Sequence, residues 1–135
     1  MSYKIEEIEG VGPKFADRLA KVGVSTTGEL LDRAATPAGR KELAEKAEVR
    51  PDLVLKWANM ADLLRIEGVS GQTAELLKKS GVDTVKELAQ RNAANLTAKL
   101  NEVNGKRKVA LEVPTEAQVA SFIAAAKSLP GKLNY

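Results

Sequence analysis

Apolar residues fall at helical spacing along almost the whole chain, and the polar positions between them carry start and stop signals for short helices. Ile5 and Ile8 share one face of a short N-terminal turn whose other side is Glu6, Glu7 and Glu9. Phe15, Ala16, Leu19 and Val22 recur three and four residues apart and stop at Gly23, which predicts a helix there. Thr26, with Glu29 three residues on, forms a capping box that opens a helix through Leu30, Leu31 and Ala34. Thr36 before Pro37 opens another, because Thr caps helix N-termini and Pro suits the first helical position. Its inward residues are Leu43, Ala44 and Ala47. Pro51-Asp52 opens a longer helix bearing Leu53, Val54, Trp57, Met60, Ala61 and Leu64.

The pattern then begins again. Ile66-Glu67-Gly68-Val69 repeats Ile8-Glu9-Gly10-Val11 at an offset of 58, and 12 of 24 positions are identical between residues 8–31 and 66–89. Composition alone gives about one or two identities over such a length. Caps, stop signals and core positions all recur (Leu19/Leu77, Gly23/Gly81, Thr26/Thr84, Glu29/Glu87), which marks an internal duplication. Beyond Ala89 the halves diverge but keep the order of elements. Asn92 caps a helix through Leu96, Leu100 and Val103 that Asn104-Gly105 is expected to stop. Lys106-Arg107-Lys108 reads as a basic turn and 109–113 as an extended linker. Pro114-Thr115-Glu116 opens the last helix, where Val119, Phe122 and Ala126 match Val54, Trp57 and Ala61 at an offset of 65. The two aromatics thus fall at equivalent places and read as core anchors. Pro130-Gly131 ends that helix, and Lys132 to Tyr135 reads as a loose tail.

No strand-like alternation of useful length appears. The expectation is an all-α fold of about ten short helices, about five in each of two pseudo-equivalent halves. The halves are residues 1–64 and 65–135. A half of about 60 residues buries little core alone, so the two are expected to pack on each other as one unit.

Composition narrows the chemistry. Of 135 residues, 44% are hydrophobic but only 4% aromatic, so the core must be mostly Leu, Val, Ile and Ala. No run of about 18 apolar residues is present, so no membrane span is expected. Met1-Ser2-Tyr3-Lys4 leads into an acidic turn and not into the apolar core of a signal peptide, which favours a cytoplasmic protein. With no Cys and no His, disulfides, thiolate nucleophiles, imidazole bases and Cys/His zinc sites are excluded. The acidic residues are scattered along helices, so neither a metal nor a cofactor is expected. The net charge of +3 is uneven: residues 1–64 carry 10 Lys/Arg against 11 Asp/Glu, and residues 65–135 carry 11 against 7.

The stretch Ile8-Glu9-Gly10-Val11-Gly12-Pro13-Lys14-Phe15-Ala16-Asp17-Arg18-Leu19 has the most specific pattern. Two glycines around one apolar residue permit a very tight turn, since Gly tolerates positive φ and close backbone approach. Val11 can point inward and pin that turn, and Pro13 suits the helix start that follows. A tight loop just before a helix gathers backbone N–H groups and the positive end of the helix dipole, which suits phosphate. The segment resembles the helix-hairpin-helix motif, found in many proteins that grip the DNA backbone without reading sequence. The whole chain resembles a family of bacterial tandem helix-hairpin-helix proteins, a domain of unknown function (DUF4332). That resemblance is carried by residues 8–31, Gly39-Arg40-Lys41-Glu42-Leu43-Ala44, Trp57-Ala58-Asn59-Met60-Ala61-Asp62-Leu63 and 81–91. It covers nearly the whole chain and implies a fold, while the family carries no settled activity.

Helix-hairpin-helix resemblance implies that loop N–H groups meet one phosphate and that loop carbonyls sometimes hold a monovalent cation. Carried over by position, Gly10, Val11 and Gly12 supply that backbone, Lys14 adds a charge-assisted contact, and Arg18 and Lys21 reach flanking phosphates. Glu6, Glu7 and Glu9 oppose this with negative charge. In the second loop, Gly68-Val69-Ser70-Gly71-Gln72, Ser70 replaces Gly12, Gly71 replaces Pro13 and neutral Gln72 replaces Lys14. A positive φ at Ser70 would cost about 1 kcal/mol. Lys78 and Lys79 lie too far along the helix to replace Lys14. Lys106, Arg107 and Lys108 form the densest basic cluster, readable equally as a nucleic-acid contact or as a solvated turn at a helix C-terminus. Three classes of function follow. One is a module contacting DNA or RNA backbone, and one is a protein-interaction or scaffold module. The third is a lyase- or glycosylase-type enzyme, for which no buried Lys or poised Asp stands out. The residues do not separate the first two.

Overall fold

Helix starts in this chain are set by Thr, Ser, Asn and Pro. The computed structural model describes residues 2–135, so Met1 of the leading Met1-Ser2-Tyr3-Lys4 stretch lies outside it. Among the described residues, eight α-helices follow one 3-10 turn at Ile5–Glu7. They are α1 (Pro13–Lys21), α2 (Thr27–Arg33), α3 (Pro37–Ala47), α4 (Pro51–Leu63), α5 (Gly71–Lys79), α6 (Val85–Ala89), α7 (Ala93–Lys106) and α8 (Glu116–Ser128). Thr26 and Thr115 head complete capping boxes with Glu29 and Gln118. The Thr36, Thr84 and Asn92 side chains accept from the backbone N–H of Gly39, Glu87 and Asn95. A cap of this kind contributes about 1 kcal/mol.

The fold is all-helical, with fewer helices than the spacing predicts. The first half opens with a single 3-10 turn, the short turn expected from Ile5 and Ile8. No separate helix precedes Gly68, because α4 itself runs to Leu63 and leads directly into the second loop. Among the described residues there is no strand, only an isolated antiparallel bridge between Lys4 and Thr26.

The order of packing repeats along the chain. Helix α1 contacts α3, while α2 and α3 both contact α4; α5 contacts α7, while α6 and α7 both contact α8. The starts of α1 and α5, and of α2 and α6, are 58 residues apart, and α4 and α8 begin and end 65 apart. One continuous apolar cluster runs through both sets, including Leu19, Leu30, Leu43 and Trp57 from the first and Leu77, Leu88, Leu100 and Phe122 from the second. The helix pair α4 and α5 joins the two sets.

Two loop expectations change. Asn104 and Gly105 do not stop α7 but lie within it. The Asn104 Oδ1 accepts from the N–H of both Val109 and Ala110, and its Nδ2 donates to the Ala110 carbonyl. Asn104 therefore fastens the linker back onto the helix. The C-terminal tail is held as well. Asn134 N–H donates to the Ala35 carbonyl at 2.8 Å. The Tyr135 hydroxyl donates to Asn59 Oδ1, and the Arg40 guanidinium lies 5.5 Å over the Tyr135 ring. These contacts carry the last residues of the chain across to the α2–α3 loop and α4.

Candidate nucleic-acid interface

The two hairpin loops share a frame set by burial and by one backbone angle. Val11 and Val69 are buried, and their N–H groups donate to Ile8 and Ile66 carbonyls at 3.0 and 3.1 Å. Gly10 and Gly68 hold φ of +94° and +92°, a region that L side chains rarely adopt. Each glycine faces an aromatic from the last helix of its set. A Cβ at Gly10 would lie 4.0 Å from Trp57 Nε1, and one at Gly68 would lie 3.1 Å from Phe122 Cε1. Both rings are core residues, Trp57 at 1% exposed and Phe122 at 6%. Trp57 also meets Phe15, with ring centroids 5.0 Å apart.

Past the shared frame the loops differ. Gly12 has φ −85° and ψ −177°, extended backbone that any residue adopts, and it precedes α1 without a side-chain cap. Gly10, Gly12, Pro13 and Lys14 are exposed, and Lys14 makes no ion pair among the described residues. Arg18 is partly engaged elsewhere. Its Nη1 donates to the Glu48 carbonyl at the end of α3, and its guanidinium sits 5.9 Å over the Phe15 ring. Lys21 pairs with Asp17 at 3.3 Å.

At the second loop, Ser70 has φ −88° and ψ 175°. The expected positive-φ cost at this position is therefore absent, because Ser70 corresponds to Gly12 and neither residue needs the left-handed region. Its Oγ accepts from Thr73 N–H at 3.3 Å and caps α5. Gly71 is buried against the N-terminal turn, where an added Cβ would come within 2.3 Å of the Glu7 carbonyl oxygen. Gln72 Oε1 accepts from Leu111 N–H at 3.2 Å, which draws the 109–113 linker over the loop. A shallow recess of about 350 Å³ remains between Gly68, Ser70, Pro114 and Phe122. Lys106 ends α7 and pairs with Glu102 at 3.4 Å; Arg107 and Lys108 are exposed at the start of the linker. The linker that follows the basic cluster thus reaches the second hairpin through Leu111, while Lys106, Arg107 and Lys108 themselves stay exposed.

Buried charge has structural partners. Arg40 donates to the Ala34 carbonyl at 2.9 Å. Asp62 pairs with Arg65 at 2.8 Å and accepts from Val85 N–H at 2.9 Å, which holds the start of α6. The Tyr135 phenol is pushed up to about 12, chiefly by burial and then by the Asp62 carboxylate. Sequence reading passed over the cations that line the face between α6 and α8: Lys86, Arg91, Lys127 and Lys132. Their only signal was the positive surplus of residues 65–135. Arg91 also extends the 58-residue offset from Arg33. Arg33 Nη1 donates to the Val22 carbonyl beside Gly23, and Arg91 Nη1 lies 4.0 Å from the Cβ position of Gly81.

No helix among the described residues is long and apolar enough to cross a membrane. No curated protein and no solved structure matches the chain. The model of one family, described as a domain of unknown function (DUF4332), matches residues 9–129, and the chain belongs to that family.

Proposed function

We propose that this chain is a non-enzymatic, cytoplasmic binding module that takes one phosphate of a nucleic-acid backbone at its first hairpin, without reading sequence. In this reading the two halves are tandem helix-hairpin-helix repeats that have diverged, so that the first binds and the second braces. The observation that carries it is the entrance to α1. That N-terminus has no side-chain cap, stands open at Gly12 and Pro13, and has the unpaired Lys14 beside it. Amides at such an end have no intrahelical partner and favour an anion. At the matching entrance to α5, the Ser70 hydroxyl already caps an amide, Glu7 backs Gly71, and neutral Gln72 is bonded to the linker. A non-enzymatic role is supported by the buried Arg40 and Asp62, whose charged groups are used to hold the end of α2 and the start of α6.

Binding isotherms on mixed-sequence DNA and RNA duplexes at several salt concentrations test this. Lys14→Glu should weaken binding to any sequence and flatten the logarithmic salt dependence by about one unit of slope. Gln72→Glu and Lys106→Glu should each do less, because long-range attraction is screened beyond about 8–10 Å. If either hurts more than Lys14→Glu, the hairpin reading is wrong. If the wild type shows no salt-dependent binding, a scaffold role takes its place.

A further inference from the structure

The positive surplus of residues 65–135 is gathered on one face. Five of the 11 Lys and Arg in that stretch line an open cleft of about 940 Å³ between α6, α8 and the segment after α8. They are Arg65, Lys86, Arg91, Lys127 and Lys132. Asp62 is the one Asp or Glu among the described residues that lines it, and both its oxygens are taken, by Arg65 and by Val85 N–H. Arg65 in turn donates to the Pro130 carbonyl, which ties the following segment down as one wall. Lys86, Lys127 and Lys132 come from three separate elements, are exposed, and make no ion pair among the described residues.

Several like charges around one concave, partly apolar surface repel one another unless an anion lies between them. Ala89, Ala126 and Leu133 supply apolar surface within the cleft. The volume lies in the range of small-molecule sites, about 300–1,000 Å³. Flexible lysines arranged around a centre suit an anion of high charge density with many acceptor oxygens, since each ammonium is a compact point charge with three donors. A single carboxylate would leave most of these donors unmatched.

We propose that this cleft binds a small polyphosphate anion, with Lys86, Lys127 and Lys132 on the phosphates. The inference is independent of the hairpin and uses none of its residues. The polyphosphate could be free or carried on a nucleoside, whose base would lie on that apolar surface.

Calorimetric titration of the full chain with sodium tripolyphosphate, and separately with ATP, tests the proposal. One saturable site is expected for tripolyphosphate. Tighter binding of ATP would assign the phosphates to a nucleoside, and equal or weaker binding to a free polyphosphate. Lys86→Glu/Lys127→Glu should weaken tripolyphosphate about tenfold or more, a loss of about 1.4 kcal/mol. Lys106→Glu/Lys108→Glu changes net charge by the same amount outside the cleft and should weaken it less than about twofold. Lys14→Glu should leave it unchanged, which separates this site from the hairpin. All five substituted residues are exposed, so far-UV circular dichroism should stay that of the wild type. Absence of saturable binding, equal loss in the two double variants, or hexaglutamate binding as tightly as tripolyphosphate would each overturn the proposal.

Discussion

A methyl group added to each hairpin glycine separates backbone strain from packing, because the two positions share one and differ in the other. Gly10 and Gly68 sit at φ +94° and +92°, so Ala at either place carries the same left-handed penalty, about 1–2 kcal/mol. Around Gly10 the new Cβ meets nothing closer than Trp57 Nε1 at 4.0 Å, ordinary contact. At Gly68 it meets Phe122 Cε1 at 3.1 Å, inside the usual carbon–carbon separation of about 3.5–4.0 Å. The ring must shift, and overpacking of this kind costs about 1–3 kcal/mol. Phe122 is 6% exposed and has some freedom to give, which points to the low end of that range. Gly10→Ala should therefore lose about 1–2 kcal/mol and Gly68→Ala about 2–3 kcal/mol. Urea titration followed by far-UV circular dichroism reads both, at unchanged m-value. Shortening the ring should remove the excess: in a Phe122→Leu background the Gly68→Ala penalty should fall to that of Gly10→Ala. A cycle of the four proteins would then show coupling of about 1 kcal/mol. Equal penalties at the two glycines, a larger one at Gly10, or an additive cycle would refute the reasoning.

Trp57→Ala removes a side chain 1% exposed at the centre of the first set of helices and should cost about 3–5 kcal/mol in the same titration; a loss under about 1 kcal/mol would place the indole outside the core. Asp62→Ala leaves Arg65 without its carboxylate and Val85 N–H without its acceptor, so about 3–5 kcal/mol should be lost, with amide exchange accelerated first in α6. The Tyr135 phenol, raised from 10.0 to about 12, binds its proton more tightly folded than unfolded. Its stabilisation is therefore complete below about pH 10 and disappears as pH rises towards about 12. Phenolate absorbance missing from Tyr135→Phe should appear near the upper value, and appearance near the lower one would show that the tail is not docked.

How legible the fold was depended on how local its causes are. Thr26 with Glu29, Thr36 with Pro37 and Asn92 act within one helix turn, so their positions in the chain suffice to place helix starts. Periodicity gave the buried faces, and the 58-residue offset paired Gly10 with Gly68 before any coordinate did. Misreadings came where a residue type has two uses. Asn104-Gly105 resembles a stop signal, yet Asn104 serves the linker through three hydrogen bonds while α7 passes through it. Tyr135 follows a Pro-Gly pair and looks free, yet its hydroxyl finds Asn59, 76 residues away in the chain. The candidate site was legible at Gly10–Lys14, where the pattern is contiguous. The cleft was not, because Arg65, Lys86, Lys127 and Lys132 are spread over the sequence and only the approach of α6 to α8 gathers them.

Divergence between the hairpins follows from what lies over each helix entrance. Both loops must bury a valine and turn at a positive-φ glycine, so those positions are held by the core whatever the loop binds. The next three residues answer to different neighbours. Where Gly71 stands, the Glu7 carbonyl leaves no room for a Cβ, so a counterpart of Pro13 is sterically excluded by the packing of the N-terminal turn. With that entrance covered, the amides of α5 need an internal acceptor, and Ser70 Oγ supplies one. Gln72, exposed in the place of Lys14, then serves the linker through Leu111 and brings no charge to the loop. Among the described residues no such cover lies over α1, and no side chain caps its first amides. A Cβ at Gly12 would meet no atom within 4 Å and no forbidden φ, so sterics do not explain the glycine. Gly12→Ser should therefore fold as well as the wild type or gain a few tenths of a kcal/mol, roughly, from the new cap. If the first hairpin takes phosphate through these amides, the same substitution should weaken duplex binding, because its hydroxyl competes for the donors. A variant that gains stability and keeps full affinity would show that the open end of α1 is not where the nucleic acid sits.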